Sequence, residues 1–583
     1  MKRGVPVSPG VAVARAYCLD EAMAGREPHQ LEVGALSAEI ARLDSACTAA
    51  TREIDSIIAR VSAQIGEDEA AIFRAHRLLL RDPALIGKVK SAILNRHVDA
   101  RTALHESLEE YNQIFSQIPD EYLKERMADL RDVIGRIVAN LGVQESSHEL
   151  NPDEPVIIVA SEVLPSQALA FDRFHVAGII MEAGGTTGHA AILARALGIP
   201  AVSGLRGILR EVHTGDLVAV DGREGHVHLN PGPEVEAAYR KLQREYVDLR
   251  DRLVENREQE PVTLDGIQVT LLANVNGPAD AAMAARVGAQ GIGLYRTEYL
   301  FLTHPSVPNE DEQLAAYRAV IEAAPNHRVT IRTLDLGGDK QVPYLGNQHE
   351  TNPFMGWRSI RLSSSHPEFF QTQLRAILRS GCHGKVSLLF PMISTLEEVQ
   401  RLKRMVARTR ESLRRQGVAF GENIPLGVML EVPAAALCID ALLDEVDFVS
   451  IGSNDLIQYV MAADRDNPKV AHLCEPFSPA ILRLLQQVMR ACIAHGTPVT
   501  LCGEMAGRPR CFLPLFGMGL RQLSMSPAFV PTLKEFIRRT TLSAAQETTE
   551  RVLQMHTFGE IRGYLTRKAR KIWPSVSMFD TSK

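Results

Sequence analysis

Apolar residues along the chain fall into three successive rhythms. Residues 4–16 alternate small and apolar residues around Pro6, Pro9 and Gly10, a strand-and-turn pattern. From Leu36 the spacing lengthens. Leu36, Ile40, Leu43, Cys47, Ala50, Ile54, Ile57, Val61 and Ile65 recur three or four apart, as one stripe of a long helix. Further helical patterns run over Ile72–Leu80, Ala103–Phe115 and Tyr122–Val138, so this block reads as an antiparallel bundle. After Pro152 short β-branched runs return: Val156–Val159, Val176–Met181, Leu217–Val220 and Val227–Leu229. The simplest arrangement is a small α/β domain, residues 1–20 and 145–230, with a helical insert, 21–144, between its parts.

Pro231-Gly232-Pro233 breaks the pattern, and a charged stretch from Glu234 to about Asn256 predicts a linker helix within 231–260. From 261 to 583 apolar strands alternate with helical segments: Val269–Val275, Gly291–Leu294, Val329–Thr333, Val386–Pro391, Gly427–Leu430, Phe448–Ile451, Pro498–Leu501 and Arg521–Ser524. Eight such repeats predict a (β/α)₈ barrel, with an open doubly wound sheet as the alternative. The predicted class is therefore multidomain α/β.

The bulk numbers add boundaries. At 583 residues the chain has length for three or four domains, and a net charge of −6 gives no reason to expect nucleic acid or an anionic membrane as partner. The eight cysteines are scattered, without a Cys-x-x-Cys pair. No apolar stretch reaches membrane-spanning length, and Met1–Pro6 lacks the apolar core of a signal peptide. The expectation is a cytoplasmic protein with reduced thiols. Nothing ahead of residue 4 predicts a sensory domain.

Barrel enzymes place their chemistry just past the C-terminal ends of strands. Polar residues recur there: Arg296-Thr297-Glu298 after the second strand, Arg332 to Asp335 after the third, Glu431 after the fifth, Asn454-Asp455 after the sixth and Cys502-Gly503-Glu504 after the seventh. Arg296, Arg332, Arg358 and Arg465 suit an anion pocket, since guanidinium forks match phosphate and carboxylate oxygens. Any single arginine is more simply read as half of a surface ion pair; four at one barrel mouth are not. Glu431 and Asp455 are hard oxygen donors suited to Mg²⁺. A small substrate with phosphate and carboxylate groups, bound through a metal, fits this inventory.

A second chemical segment is Gly184-Gly185-Thr186-Thr187-Gly188-His189, followed by the apolar run Ala190 to Leu193. It predicts a tight loop after a strand, with His189 at a helix N-terminus, where an incoming anion is favoured and a neutral imidazole nucleophile is easier to keep. A histidine after a glycine loop is otherwise more often a surface residue.

This segment, continued to Arg195, resembles the phosphohistidine signature of phosphoenolpyruvate-using enzymes. Asp447 to Tyr459, with Arg465, is similar to their second signature. With Val7-Ser8-Pro9-Gly10, Gly291 to Glu298, Arg332 to Asp335 and Gly356-Trp357-Arg358, nearly the whole chain resembles enzyme I of the phosphoenolpyruvate:sugar phosphotransferase system. The resemblance implies a swivelling phosphohistidine domain ahead of a phosphoenolpyruvate-binding and dimerisation barrel. It also implies phosphoryl transfer to His189 and on to the carrier protein HPr, as the first step of sugar uptake or its regulation. Arg296, Arg332, Arg358, Asn454, Asp455 and Arg465 would hold phosphoenolpyruvate, Glu431 and Asp455 the Mg²⁺, and Cys502 would protonate the enolate to pyruvate. The insert, including Glu69 to His76, would dock HPr, and the barrel would form a homodimer. The chain departs from the pattern at Gly188 and Ala168, where many members carry hydroxyls. Related nucleotide-dependent pyruvate phosphotransferases need a further domain for which the chain has no room; a regulatory binding protein without turnover would not need His189, Glu431, Asp455 and Cys502 together.

Overall fold

Along Val156-Ile157-Ile158-Val159-Ala160 every residue is apolar, and in the computed structural model every one is buried. Ile157 and Val159 face one apolar cluster, with Ala14, Val218 and Val220. Val156, Ile158 and Ala160 face another, with Val7, Ile179 and Met181. A strand covered on both faces has no need of alternation, and each buried isoleucine contributes about 1.5–3 kcal/mol. The structure describes residues 1–19, 30–64, 76–77, 79–80, 82–116, 130, 133–138, 140–141, 154–161, 163, 176–182, 194, 198–304, 306–337, 350, 352–465, 467 and 469–578. They divide into two units, one within Met1–Val247 and the other Asp248–Asp580.

The first unit contains an eight-stranded sheet. Its strands are β1 (Lys2–Arg3), β2 (Val5–Ser8), β3 (Val11–Cys18), β4 (Val156–Ala160), β5 (Val176–Met181), β6 (Ala201–Ser203), β7 (Leu217–Asp221) and β8 (His226–Leu229). They lie in the order β1-β8-β7-β3-β4-β5-β6-β2. β3 pairs in parallel with β4, Arg15 beside Val156 and Cys18 beside Val159, although more than a hundred residues separate them in sequence. β1 and β6, of two and three residues, escape a reading based on apolar runs.

The helical residues between β3 and β4 include Leu36–Gln64, Pro83–Arg96 and Ala100–Ser116. Leu43, Ala50, Ile54, Leu85, Val89, Ile93, Ala100 and Leu104 form their common core. Glu39, from the first helix, accepts the Ala100 N–H at 2.8 Å and so caps the third. The sequence reading did not include Pro83–Arg96, although Leu85, Ile86, Val89, Ala92 and Ile93 recur at helical spacing and pack on the same core. His189, Gly188 and Ala168 lie outside the described residues; of Glu69 to His76 only His76 is described, and it is buried. A helix from Pro233 to Glu255 follows β8.

The second unit is a closed barrel of eight parallel strands, not an open sheet. Its strands are β9 (Thr270–Val275), β10 (Ile292–Arg296), β11 (Arg328–Arg332), β12 (Lys385–Phe390), β13 (Leu426–Leu430), β14 (Phe448–Ile451), β15 (Val499–Leu501) and β16 (Gln522–Met525). β16 closes on β9, with Leu523 beside Leu271. The eight apolar runs read from the sequence are these strands. Among the described residues no helix is long and apolar enough to cross a membrane.

Candidate active site at the barrel mouth

Parallel register brings the chain's scattered polar residues to one rim. Arg296 ends β10 and Arg332 ends β11, and the two are register partners. Glu431 follows Leu430, itself the partner of Ile451 on β14, and Cys502 follows Leu501, the partner of Ile451 on the other side. Asn454 and Asp455 open the helix Ser453–Met461 directly after β14.

The four arginines are not equivalent. Arg332 is buried and its guanidinium pairs with Glu298 and, at 3.2 Å, with Asp335. Arg358 arrives from outside the strands, through the segment 352–359, and pairs with Asp335 at 2.9 Å; its second nitrogen donates to Tyr459 at 3.1 Å, and Asp455 lies 3.6 Å away. Arg465 pairs with Asp455 at 3.2 Å. Burial opposes the charge of Arg332 and of Arg358, but the carboxylates of Glu298, Asp335 and Asp455 around them raise both pKa values. Arg296 differs. It is half-buried, and among the described residues it makes no hydrogen bond or ion pair. Burial and the neighbouring Arg332 lower its pKa. A cation held against a second cation, without a carboxylate bonded to it among the described residues, is suited to an anionic ligand.

The ion pairs of Arg332, Arg358 and Arg465 are thus internal to the rim rather than out on the surface. Asp335 and Glu298 organise them. Asp335 binds both Arg332 and Arg358, and Glu298 also accepts the Asp335 N–H at 3.2 Å. Neither stood out as a site residue in sequence, although both lie within the motifs Arg296-Thr297-Glu298 and Arg332 to Asp335. Behind them Thr297 donates to the Arg332 carbonyl at 2.9 Å, and Gln373 donates to both Thr297 and Tyr317 at 3.3 Å.

Glu431 is buried, one carboxylate oxygen fixed by the Met392 N–H at 2.7 Å. Burial and the nearby carboxylates of Asp455 and Asp335 push it up to about 8, against the pull of Arg332 and Arg358. Gly452 makes room for it: a Cβ there would stand 2.8 Å from the other Glu431 oxygen. Two buried carboxylates that repel each other at neighbouring strand ends are a fit for a hard divalent cation. Among the described residues no three His, Cys, Asp or Glu gather as a metal cage. Such a pair suits Mg²⁺, which retains waters and takes further oxygens from a substrate. Asn454 accepts the Glu504 N–H at 2.9 Å, linking the segments that follow β14 and β15. Cys502 is buried against Leu294, Leu389 and Met429; burial pushes its thiol up to about 11, so it carries its proton at neutral pH.

The chain matches the PEP-utilising enzymes in three stretches: their N-terminal domain over residues 3–126, mobile domain over 152–225 and PEP-binding domain over 250–542. It is 42% identical over 565 residues, 97% of each chain, to the phosphoenolpyruvate-protein phosphotransferase of Geobacillus stearothermophilus. It is equally similar to that of Bacillus sp., and 41% identical to that of Staphylococcus carnosus over 96% of this chain and 97% of that one. Identity at this level from end to end, on a barrel whose rim carries a charge pattern suited to a phosphorylated acid, leaves one conclusion: the chain belongs to the phosphoenolpyruvate-protein phosphotransferase family of PEP-utilising enzymes.

Proposed function

We propose that this chain transfers the phosphoryl group of phosphoenolpyruvate to His189 and then to a histidine of an HPr-like phosphocarrier, releasing pyruvate. The observation that carries the reading is Arg296, without a partner among the described residues and beside Arg332 on a rim that also holds Glu431, Asp455 and Cys502. In the transfer the bond from phosphorus to the enol oxygen breaks and a bond to the His189 nitrogen forms. The electron pair of the broken bond stays on the substrate as an enolate. Arg296, Arg332, Arg358 and Arg465, with Asn454, hold the phosphate and carboxylate and spread the charge of the transferring group. Glu431 and Asp455 would hold Mg²⁺, which, when bound, neutralises phosphate and enolate oxygens. Cys502 gives its proton to the methylene carbon, and the thiolate regains one from solvent.

A phosphocarrier of low mass, docking on the helical residues between β3 and β4, is the acceptor in this reading. The protein works in the cytoplasm, as a homodimer through the barrel, ahead of sugar uptake or its regulation. The test is incubation with labelled phosphoenolpyruvate and Mg²⁺ and mapping of the acid-labile phosphate. His189→Ala is expected to carry no label while still binding phosphoenolpyruvate; label retained in that variant would remove His189 from the mechanism. Cys502→Ala is expected to slow pyruvate formation far more than it weakens substrate binding.

A further inference from the structure

The backbone of Cys502 is fixed on both sides. Its N–H donates to the Ile451 carbonyl at 3.0 Å, and its carbonyl accepts from the Asn274 side chain at 2.9 Å. Asn274 is held in turn by the Ser524 hydroxyl at 2.6 Å. The sulfur itself has two polar neighbours. The thiol donates to the Ile451 carbonyl at 3.4 Å, and the Ser450 hydroxyl donates to the sulfur at 3.2 Å.

Ser450 is an odd residue for its place. It lies in the middle of β14, between Met429 on β13 and Thr500 on β15, and is 1% exposed. Interior positions of such barrels usually carry branched apolar side chains, and a buried hydroxyl is costly unless it is hydrogen-bonded. Among the described residues this hydroxyl bonds to nothing but the Cys502 sulfur. A neutral thiol is a weak acceptor, and a thiolate is a strong one. The pair is therefore poorly matched while the thiol keeps its proton and well matched once the proton has gone.

We propose that Ser450 is a positioning residue for proton transfer, holding the Cys502 sulfur toward the substrate carbon and stabilising the thiolate left when the proton is delivered. The inference rests on the reading of Cys502 as the acid. In the step, the S–H bond breaks, a C–H bond forms at the enolate methylene carbon, and the S–H electron pair remains on sulfur under the Ser450 O–H. The same hydrogen bond acts on the free thiol, drawing its pKa down against the larger effect of burial.

The experiment follows loss of the pyruvate methyl protons in D₂O by NMR, with the full chain, Mg²⁺ and pyruvate. Ser450→Ala is expected to slow exchange by about ten- to a hundredfold, the loss of one hydrogen bond to a charged acceptor, with KM for pyruvate little changed. Phosphoenzyme formation from phosphoenolpyruvate should slow far less than exchange. Ser450→Thr keeps the hydroxyl on a strand-favouring residue and should recover most of the rate. Ser450→Cys keeps the shape with a weaker donor and should be slow, which covers the case of a badly folded alanine variant. Cys502→Ala is run beside them. If it is slow and Ser450→Ala exchanges at the wild-type rate, the role of Ser450 falls and that of Cys502 stands. If Thr is no better than Ala, Ser450 is only packing. If Cys502→Ala exchanges at the wild-type rate, both assignments fall together.

Discussion

Arg296 and Arg332 sit side by side as register partners on β10 and β11, yet only Arg332 has carboxylates to hold it. The two should therefore fail differently. Arg332→Ala strands Glu298 as a buried charge, leaves Asp335 with Arg358 alone, and should cost about 3–5 kcal/mol of stability. Arg296→Ala breaks no pair and relieves a like-charge contact, so stability should move by no more than about 0.5 kcal/mol. Its phosphoenolpyruvate affinity should nevertheless drop by about one to two orders of magnitude, the worth of a charge-assisted contact. Chemical denaturation and calorimetric titration of the same two variants give both readings; an Arg296→Ala protein that binds normally removes the anion subsite.

Glu431→Gln tests the metal pair without emptying the site. The amide keeps an oxygen for the Met392 N–H and fills the same space against Gly452. It mimics the protonated carboxyl that burial and the Asp455 and Asp335 carboxylates favour, so the variant should be at least as stable as the parent in thermal unfolding without added metal. Activation by Mg²⁺ should disappear, because one hard anionic donor is gone. Normal Mg²⁺ activation in Glu431→Gln would move the metal elsewhere.

Gly452→Ala is a one-carbon probe of the same geometry. The added methyl would stand 2.8 Å from a Glu431 oxygen and 3.0 Å from its Cβ, too close for either to stay. Turnover should fall by about a hundredfold, the usual result of shifting a reactive group by an ångström. Phosphoenolpyruvate turnover at saturating Mg²⁺, with far-ultraviolet dichroism as a folding control, measures it.

Lys534 carries a prediction away from the rim. It is buried, and its ammonium donates to the carbonyls of Arg257 at 2.6 Å and Gly288 at 3.1 Å. Lys534→Met keeps the length and removes the donors, leaving two carbonyls without partners. A loss of about 1–3 kcal/mol is expected in urea unfolding. Amide exchange at residues 256–260 should quicken at the same time, since this lysine ties that segment to the helix Val530–Arg538.

The barrel was legible because its strands are short, dense apolar runs and its chemistry stands at their ends. The alternation of polar residues with those runs predicts Arg296, Arg332, Glu431, Asp455 and Cys502 on one rim from the sequence. The pairing among them was not legible. Asp335 reaches Arg358 across 23 residues and a segment outside the strands, and nothing local marks a carboxylate as shared between two arginines. Ser450 was hidden for a related reason. Within Phe448-Val449-Ser450-Ile451 it looks like a polar residue in a strand, and only the neighbouring strand supplies its partner. In the first unit, strands of two or three residues fall below what periodicity can detect.

The parallel pairing of β3 with β4 has a consequence for how the chain comes into being. A strand made among the first eighteen residues cannot meet its neighbour until residue 156 has been synthesised, and β1 and β2 must wait longer still, for β8 and β6. At ordinary synthesis rates of about 5–20 residues per second, β3 stays unpaired for many seconds, a largely apolar strand with open edges. The helices in between form from contacts close in sequence and so can fold while translation continues. The insert then brings the two halves of the sheet together, shortening the loop that β3 must close. Deleting residues 30–141 in favour of a short flexible link should therefore change the order of folding, and not only remove a surface.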